Sequence, residues 1–152
     1  MYFVKVNIRI DIIASQTTLP LRQAMLRPGR PVASCHFERD NHPLTRHWGA
    51  YADKEVVGIL SAMPNTCEAF PTKKAYQFRG MAVLPNYQRQ GIATRLLLTA
   101  EKYLTQEFTP ELFWLNARVH AQALYRSIAY QPSGDVFDIP TVGPHIRYIK
   151  QL

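Results

Sequence analysis

The stretch MAVLPNYQRQGIATRLL, residues 81–97, passes from an apolar run into an amphipathic helix in a few residues. That junction constrains the fold more than any other feature of the chain. Pro85 removes a backbone donor and fixes φ, and Asn86 favours a turn, so the run beginning at Tyr76 must stop near Leu84. From Gly91 to about Gln106, Ile92, Leu96, Thr99 and Tyr103, with Ala93, Leu97, Ala100 and Leu104, predict one apolar stripe on a helix. A second apolar run follows at Leu112–Val119. Strand, helix and strand at 76–119 form a βαβ crossover, with two parallel strands joined by the helix.

The remainder is organised around that unit. Val4, Val6, Ile8, Ile10 and Ile12 alternate with polar residues and predict a half-buried first strand. Thr17 or Thr18 is expected to cap a helix running to about Leu26, which Pro28-Gly29-Arg30-Pro31 ends. Residues 46–52 and 56–62, joined by Asp53-Lys54-Glu55, predict a hairpin. Residues 31–43 and 64–74 predict loops. A short helix at 121–128 and two strands at 135–139 and 145–149 complete the chain. The class is α+β with a mixed, mostly antiparallel sheet, and the 152 residues predict a single domain.

Charge and cysteine usage narrow the function. Formal net charge is +7 and the pI is about 9.6, which favours an anionic ligand. The sequence has no basic run and no nucleic-acid signature, so a phosphorylated small molecule is preferred over nucleic acid. No apolar stretch approaches the roughly 18 residues a membrane helix needs. The N-terminus carries no apolar signal region, and Cys35 and Cys67 match no metal or redox spacing. These features together predict a cytoplasmic protein with reduced thiols. No His, Cys or carboxylate set has metal-ligand spacing, so no metal is expected. A homodimer is only the commonest prior for oligomeric state.

The turn at 88–93 carries more than a turn requires. The first N–H groups of a helix lack partners within it and lie at the positive end of the dipole, a site suited to phosphate. Gly91 would let an anion approach the backbone, Ala93 keeps the next position small, and Gln88 and Arg89 add donors. A second glycine two residues before Gly91 is missing, so this is not the dinucleotide fingerprint. Gln88-Arg89-Gln90-Gly91-Ile92-Ala93 resembles the pyrophosphate loop of the GNAT superfamily of acetyl-CoA-dependent acyltransferases. The order of elements resembles that family along nearly the whole chain. Met81-Ala82-Val83 resembles the end of its fourth strand, and Ala121-x-x-x-Tyr125-x-x-x-Ala129-Tyr130 its last helix. The segment 137–145 resembles the closing region of small ElaA-like bacterial acetyltransferases.

The resemblance implies a fold with helices on both faces of the sheet and parallel strands that splay near Val83 and Asn116. It implies that Met81, Ala82, Val83, Gln88, Arg89, Gln90, Gly91, Ile92, Ala93 and Thr94 hold acetyl-CoA. The pantetheine amides would pair in the splay, and the Val83 N–H would face the thioester. Tyr125 matches the general acid that protonates the departing thiolate. The family's cofactor-binding asparagine falls at Arg118, with Asn116 two residues earlier on the same side, so either is a candidate. Ala129 replaces a glycine, and the helix cap is expected later, near Ser133-Gly134.

A base is harder to identify. The strand glutamate of the histone-acetylating members is replaced by Gln77. His145 is the first candidate, followed by His36 and its neighbours Glu38, Arg39 and Asp40, or a water chain. Arg79, on the Gln77 side, could orient an acidic acceptor. The leading expectation is acetyl transfer to a primary amine of a small molecule or peptide, by direct attack in a ternary complex. A non-catalytic acyl-CoA-binding module and an enzyme acting on an RNA-borne amine are the alternatives.

Overall fold

The computed structural model describes residues 7–152. Val4 and Val6 of the expected first strand therefore lie outside the described residues. Strand β1 (Ile8–Ile13) leads into α1 (Ser15–Leu21), a π-helical turn (Arg22–Leu26), β2 (Arg46–Ala52), β3 (Glu55–Pro64) and β4 (Ala75–Val83). Helix α2 (Ile92–Phe108), β5 (Leu112–Arg118), α3 (Gln122–Ser127), β6 (Gln131–Ile139) and β7 (Gly143–Gln151) follow. The seven strands form one sheet in the order β1-β2-β3-β4-β5-β7-β6. Among the described strands only β4 and β5 are parallel neighbours, as the crossover requires.

The helices cover both faces, and β3 shows why its sequence is almost continuously apolar. Leu60 packs in the cluster that holds Leu96, Leu97 and Leu104 of α2, whereas Ile59 packs with Leu21 of α1. Successive strand side chains point to opposite faces, so α1 and α2 lie on opposite sides of the sheet. A strand covered on both faces needs no polar alternation. Along α2 the predicted stripe is buried at Ile92, Leu96, Leu97, Ala100 and Leu104, but Thr99 is exposed. The actual stripe is thus narrower than the sequence pattern suggested.

Three local expectations are corrected. Helix α1 begins at Ser15, directly after the strand, and neither Thr17 nor Thr18 caps it: Thr18 Oγ1 is buried and donates back to the Ser15 carbonyl at 2.6 Å. The helix then widens, with the Arg27 N–H donating to Arg22 O five residues back. The last helix ends at Ala129 itself, at φ 71°, rather than near Gly134. The Tyr130 N–H donates to Tyr125 O and the Ala129 N–H to Arg126 O, the paired bonds of a Schellman cap. Alanine occupies the left-handed position at a cost of about 1 kcal/mol.

Candidate active site

Strand β4 is bulged where it lines the cleft. Between Ile59/Ala82 and Ser61/Arg79 its register with β3 slips, so β4 carries one extra residue there. Gly80 sits in the bulge at φ 64°, where a Cβ would lie 2.8 Å from the Phe37 ring. A side chain at Gly80 is therefore excluded by both backbone and neighbour. Just before the bulge β4 leaves β5: the pair is joined only at Ala75/Leu112, Tyr76/Phe113 and Gln77/Trp114. Residues 78–83 and 115–118 face each other unpaired. The Leu84 N–H donates to Val57 O in β3. Backbone groups alternate sides along a strand, so the Val83 N–H points the other way, into the gap.

The gap opens into a cleft of about 850 Å3 that continues past the start of α2. Met81, Ala82, Val83, Gln88, Arg89, Gly91, Ile92, Ala93, Thr94, Asn116, Tyr125 and His145 all line it. Among the residues expected to hold the cofactor, only Gln90 does not. Arg89 and Gly91 are both left-handed, at φ 62° and 78°, and the first helical bond is Arg95 N–H to Gly91 O. None of the N–H groups of residues 89–94 bonds to another described backbone group. A Cβ on Gly91 would meet nothing within 4 Å, so the exposed donors look into open space. Left-handed residues alternating with ordinary ones turn successive N–H groups inward as an anion-binding concavity.

The amides were expected to serve a ligand, but their own fold uses them. Gln88 Nε2 donates to Val83 O at 2.8 Å and Gln90 Nε2 to Asn86 O at 3.2 Å. They hold the strand end and the turn together, and the backbone N–H groups remain for the anion. Charge supports the same ligand class: among the described residues Arg27, Arg79, Arg89 and Arg118 line the cleft, and no carboxylate does. Arg27 follows the π-helical turn and was missed in the sequence, because nothing in the residue pattern signals that widening. Asn116 and Arg118 both line the cleft, and both are exposed.

Tyr125 is buried on α3 and stacks on Tyr148, with centroids 5.6 Å apart. Its hydroxyl has no partner among the described residues, and burial pushes its pKa up to about 12. At neutral pH it is therefore a proton donor. His145 is buried at the rim, opposite Arg118 in the β5–β7 ladder. Its Nδ1 lies 2.8 Å from Gly143 O. A carbonyl only accepts, so Nδ1 carries the proton and Nε2 of the neutral ring keeps its lone pair.

The other base candidates lie elsewhere. Residues 36–40 line neither this cleft nor the second cavity described below, contrary to the expectation for that loop. Asp40 is buried with Arg22, which donates to both its oxygens at 2.7 and 2.9 Å. Burial alone would raise its pKa, but the Arg22 bonds and the Phe37 N–H outweigh that and hold it below the ordinary value. The second Arg22 nitrogen also reaches Ser61 Oγ at 2.9 Å, which bonds His47 Nδ1 at 2.6 Å. Gln77 is buried and accepts from Asn65 Nδ2 at 2.9 Å. Among the described residues no three metal-ligating side chains gather, and no helix is long and apolar enough to cross a membrane.

The acetyltransferase (GNAT) family model matches residues 13–130. The chain belongs to the GNAT family. It is 30% identical over 145 residues to YitI, an uncharacterized N-acetyltransferase of Bacillus subtilis (strain 168), covering 95% of this chain and 97% of that one. Escherichia coli ElaA shares the fold at a TM-score of 0.75 and 16% identity, over 96% of this chain and all 100% of ElaA. Arabidopsis thaliana NAA60, solved in complex with acetyl-CoA, superposes at a TM-score of 0.73 and 13% identity, over 96% and 99% of the two chains. This GNAT chain is accordingly an acyltransferase, and the resemblance read from residues 81–130 is borne out.

Proposed function

We propose that this GNAT enzyme moves the acetyl group of acetyl-CoA to a primary amine on a small molecule or peptide, by direct attack in a ternary complex. The observation that carries the reading is that Arg89 and residues 91–94, with their unbonded N–H groups, and Tyr125, with its free hydroxyl, line one cleft. The N–H row and Arg89 would hold the pyrophosphate, with Arg27 and Arg118 available to a further phosphate. The backbone edges of 78–83 and 115–118 that face each other across the gap offer partners to the two pantetheine amides. Asn116 stands beside that gap. Bound acetyl-CoA supplies the activated acyl group as a thioester.

The chain's own residues then do four things. The Val83 N–H, aimed into the gap, stabilises negative charge developing on the carbonyl oxygen. Tyr125 gives its proton to the departing sulfur, and its raised pKa keeps that proton available. The walls at Leu97, Leu115 and Leu124 exclude water. His145 Nε2, or water beside it, accepts the proton that the amine must lose. Cys35 and Cys67 are buried and unpaired, which supports a reducing, cytoplasmic setting. Calorimetric titration with acetyl-CoA and with 3′-dephospho-CoA tests the reading. Micromolar binding of acetyl-CoA, weaker for the dephospho form, is expected; no binding of either by folded protein would remove the reading.

A further inference from the structure

A second cavity of about 460 Å3 lies beside the cleft, within the size range of small-molecule sites. Asn116 lines both, so the two spaces meet at β5. They differ in charge. The cleft is lined by arginines and no carboxylate, whereas Glu68, Asp135 and Arg147 line the second cavity together. None of these three forms an ion pair among the described residues.

Arg147 occupies the middle of a cross-strand row, between Asn116 on β5 and Ser133 on β6. One of its terminal nitrogens reaches Ser133 Oγ at 3.2 Å, and its Nε is buried without a partner. A guanidinium with donors left over calls for an anion, and its fork suits a carboxylate. The two carboxylates call for a cation. A polyamine would set a positive charge against Arg147, and a simple anion would be repelled by Glu68 and Asp135. A zwitterion meets both demands. Beside Thr66 and Gly134, the remaining walls are Trp114, whose indole N–H is already given to Asn65 O at 2.8 Å, and the exposed Phe137 ring. The two aromatic rings present apolar surface.

We infer that the acceptor is a free amino acid with an apolar or aromatic side chain, seated in this second cavity; the inference rests on the acetyl-transfer reading. Its carboxylate is bound by Arg147, its ammonium is drawn in by Glu68 and Asp135, and its nitrogen reaches the thioester past Asn116. The nitrogen bonds to the acetyl carbon as the carbon–sulfur bond breaks, and the bonding pair leaves on sulfur, which takes the Tyr125 proton. Of the two protons the ammonium sheds, one restores Tyr125 and one passes to solvent.

Steady-state KM values for L-phenylalanine, L-phenylalaninamide, phenethylamine and spermidine test this, with thiol release from acetyl-CoA as the readout. L-Phenylalanine is expected to have the lowest KM of the four. Arg147→Gln is expected to raise that KM by about tenfold or more, the loss of a charge-assisted bond, while the phenethylamine KM stays within about twofold. Comparing each amine with itself across the two proteins cancels differences in basicity. A lower KM for spermidine or phenethylamine in the unaltered protein overturns the inference, as does a phenylalanine KM that Arg147→Gln leaves unchanged. If Arg147→Gln does not fold, the ranking in the unaltered protein decides. Calorimetry separates the failures: acetyl-CoA binding without phenylalanine turnover removes the acceptor alone, and no acetyl-CoA binding removes the acetyl-transfer reading with it.

Discussion

Gln77 and Trp114 are the last residues at which β4 and β5 pair, and Asn65 holds both. Its side-chain amide donates to Gln77 Oε1 at 2.9 Å, and its carbonyl accepts from Trp114 Nε1 at 2.8 Å. Asn65→Ala removes the first bond and keeps the second, because the second uses backbone. Gln77 is buried, so its orphaned oxygen costs about 1–3 kcal/mol. Denaturant midpoints for Asn65→Ala should fall accordingly, and an unchanged midpoint would mean the rung does not depend on Asn65.

Tyr125→Phe removes a hydroxyl that bonds to no described residue, so thermal stability and acetyl-CoA affinity should hold. Turnover should fall by about 10²–10⁴, the range for one acid–base group. With a pKa of about 12, Tyr125 is protonated throughout the physiological range and loses its proton only as pH rises toward that value. The pH–rate profile should therefore show no alkaline fall from this group below about pH 11. An equal rate for Tyr125→Phe would dismiss it as the acid.

Gly91→Ala puts a side chain at φ 78°, where the strain costs about 1–2 kcal/mol, and projects it into the open mouth of the N–H row. A lower melting temperature and at least tenfold weaker acetyl-CoA binding should appear together in calorimetry. Lost stability with full affinity would detach the row from the cofactor.

Ala129→Gly works in the opposite direction. Ala129 adopts φ 71° to close the last helix, and glycine takes that conformation without the side-chain penalty. The variant should be more stable by about 1 kcal/mol, measured by urea titration. A destabilised variant would contradict the left-handed cap.

Acid should unfold the protein in two stages. Burial holds the His47 pKa below its ordinary value of 6.5, so below pH 6.5 the unfolded chain binds a proton that the native protein refuses. Stability falls from there. Asp40 is held below 3.8, and its contribution is lost as pH drops through that value toward its native pKa. Unfolding free energies measured from pH 8 to 3 should decline in both windows. A flat profile between 6.5 and 5 would exclude a buried neutral His47.

Much of the cleft was legible because its signals are local. Pro85-Asn86 before Gly91 gives a strand end and a helix start within eight residues, and Tyr125 follows Ala121 at one helical turn. The Arg22–Asp40–Ser61–His47 network was illegible: its members are up to 39 residues apart and no periodicity links them. The π-helical widening is equally hidden, since it lies beside Arg22, whose contacts come from distant segments. The use of the Gln88 side chain was hidden for a related reason. An amide before a helix reads as a ligand donor, and only the folded chain shows the Val83 carbonyl within its reach. The second cavity draws on Glu68, Trp114, Asn116, residues 133–135, Phe137 and Arg147, which no single stretch could announce.

Three rungs are all that tie β1–β4 to β5–β7 through the sheet. Each half is a plate laddered along its strands apart from bulges, and the seam between them is open along most of its length. A molecule that supplies the missing rungs also stitches the plates together. Its binding energy is then partly cohesion of the protein, so amides at 78–83 and 115–118 should exchange hydrogen more slowly in the loaded state. On this account the seam makes the fold sturdiest while it is holding the acyl donor.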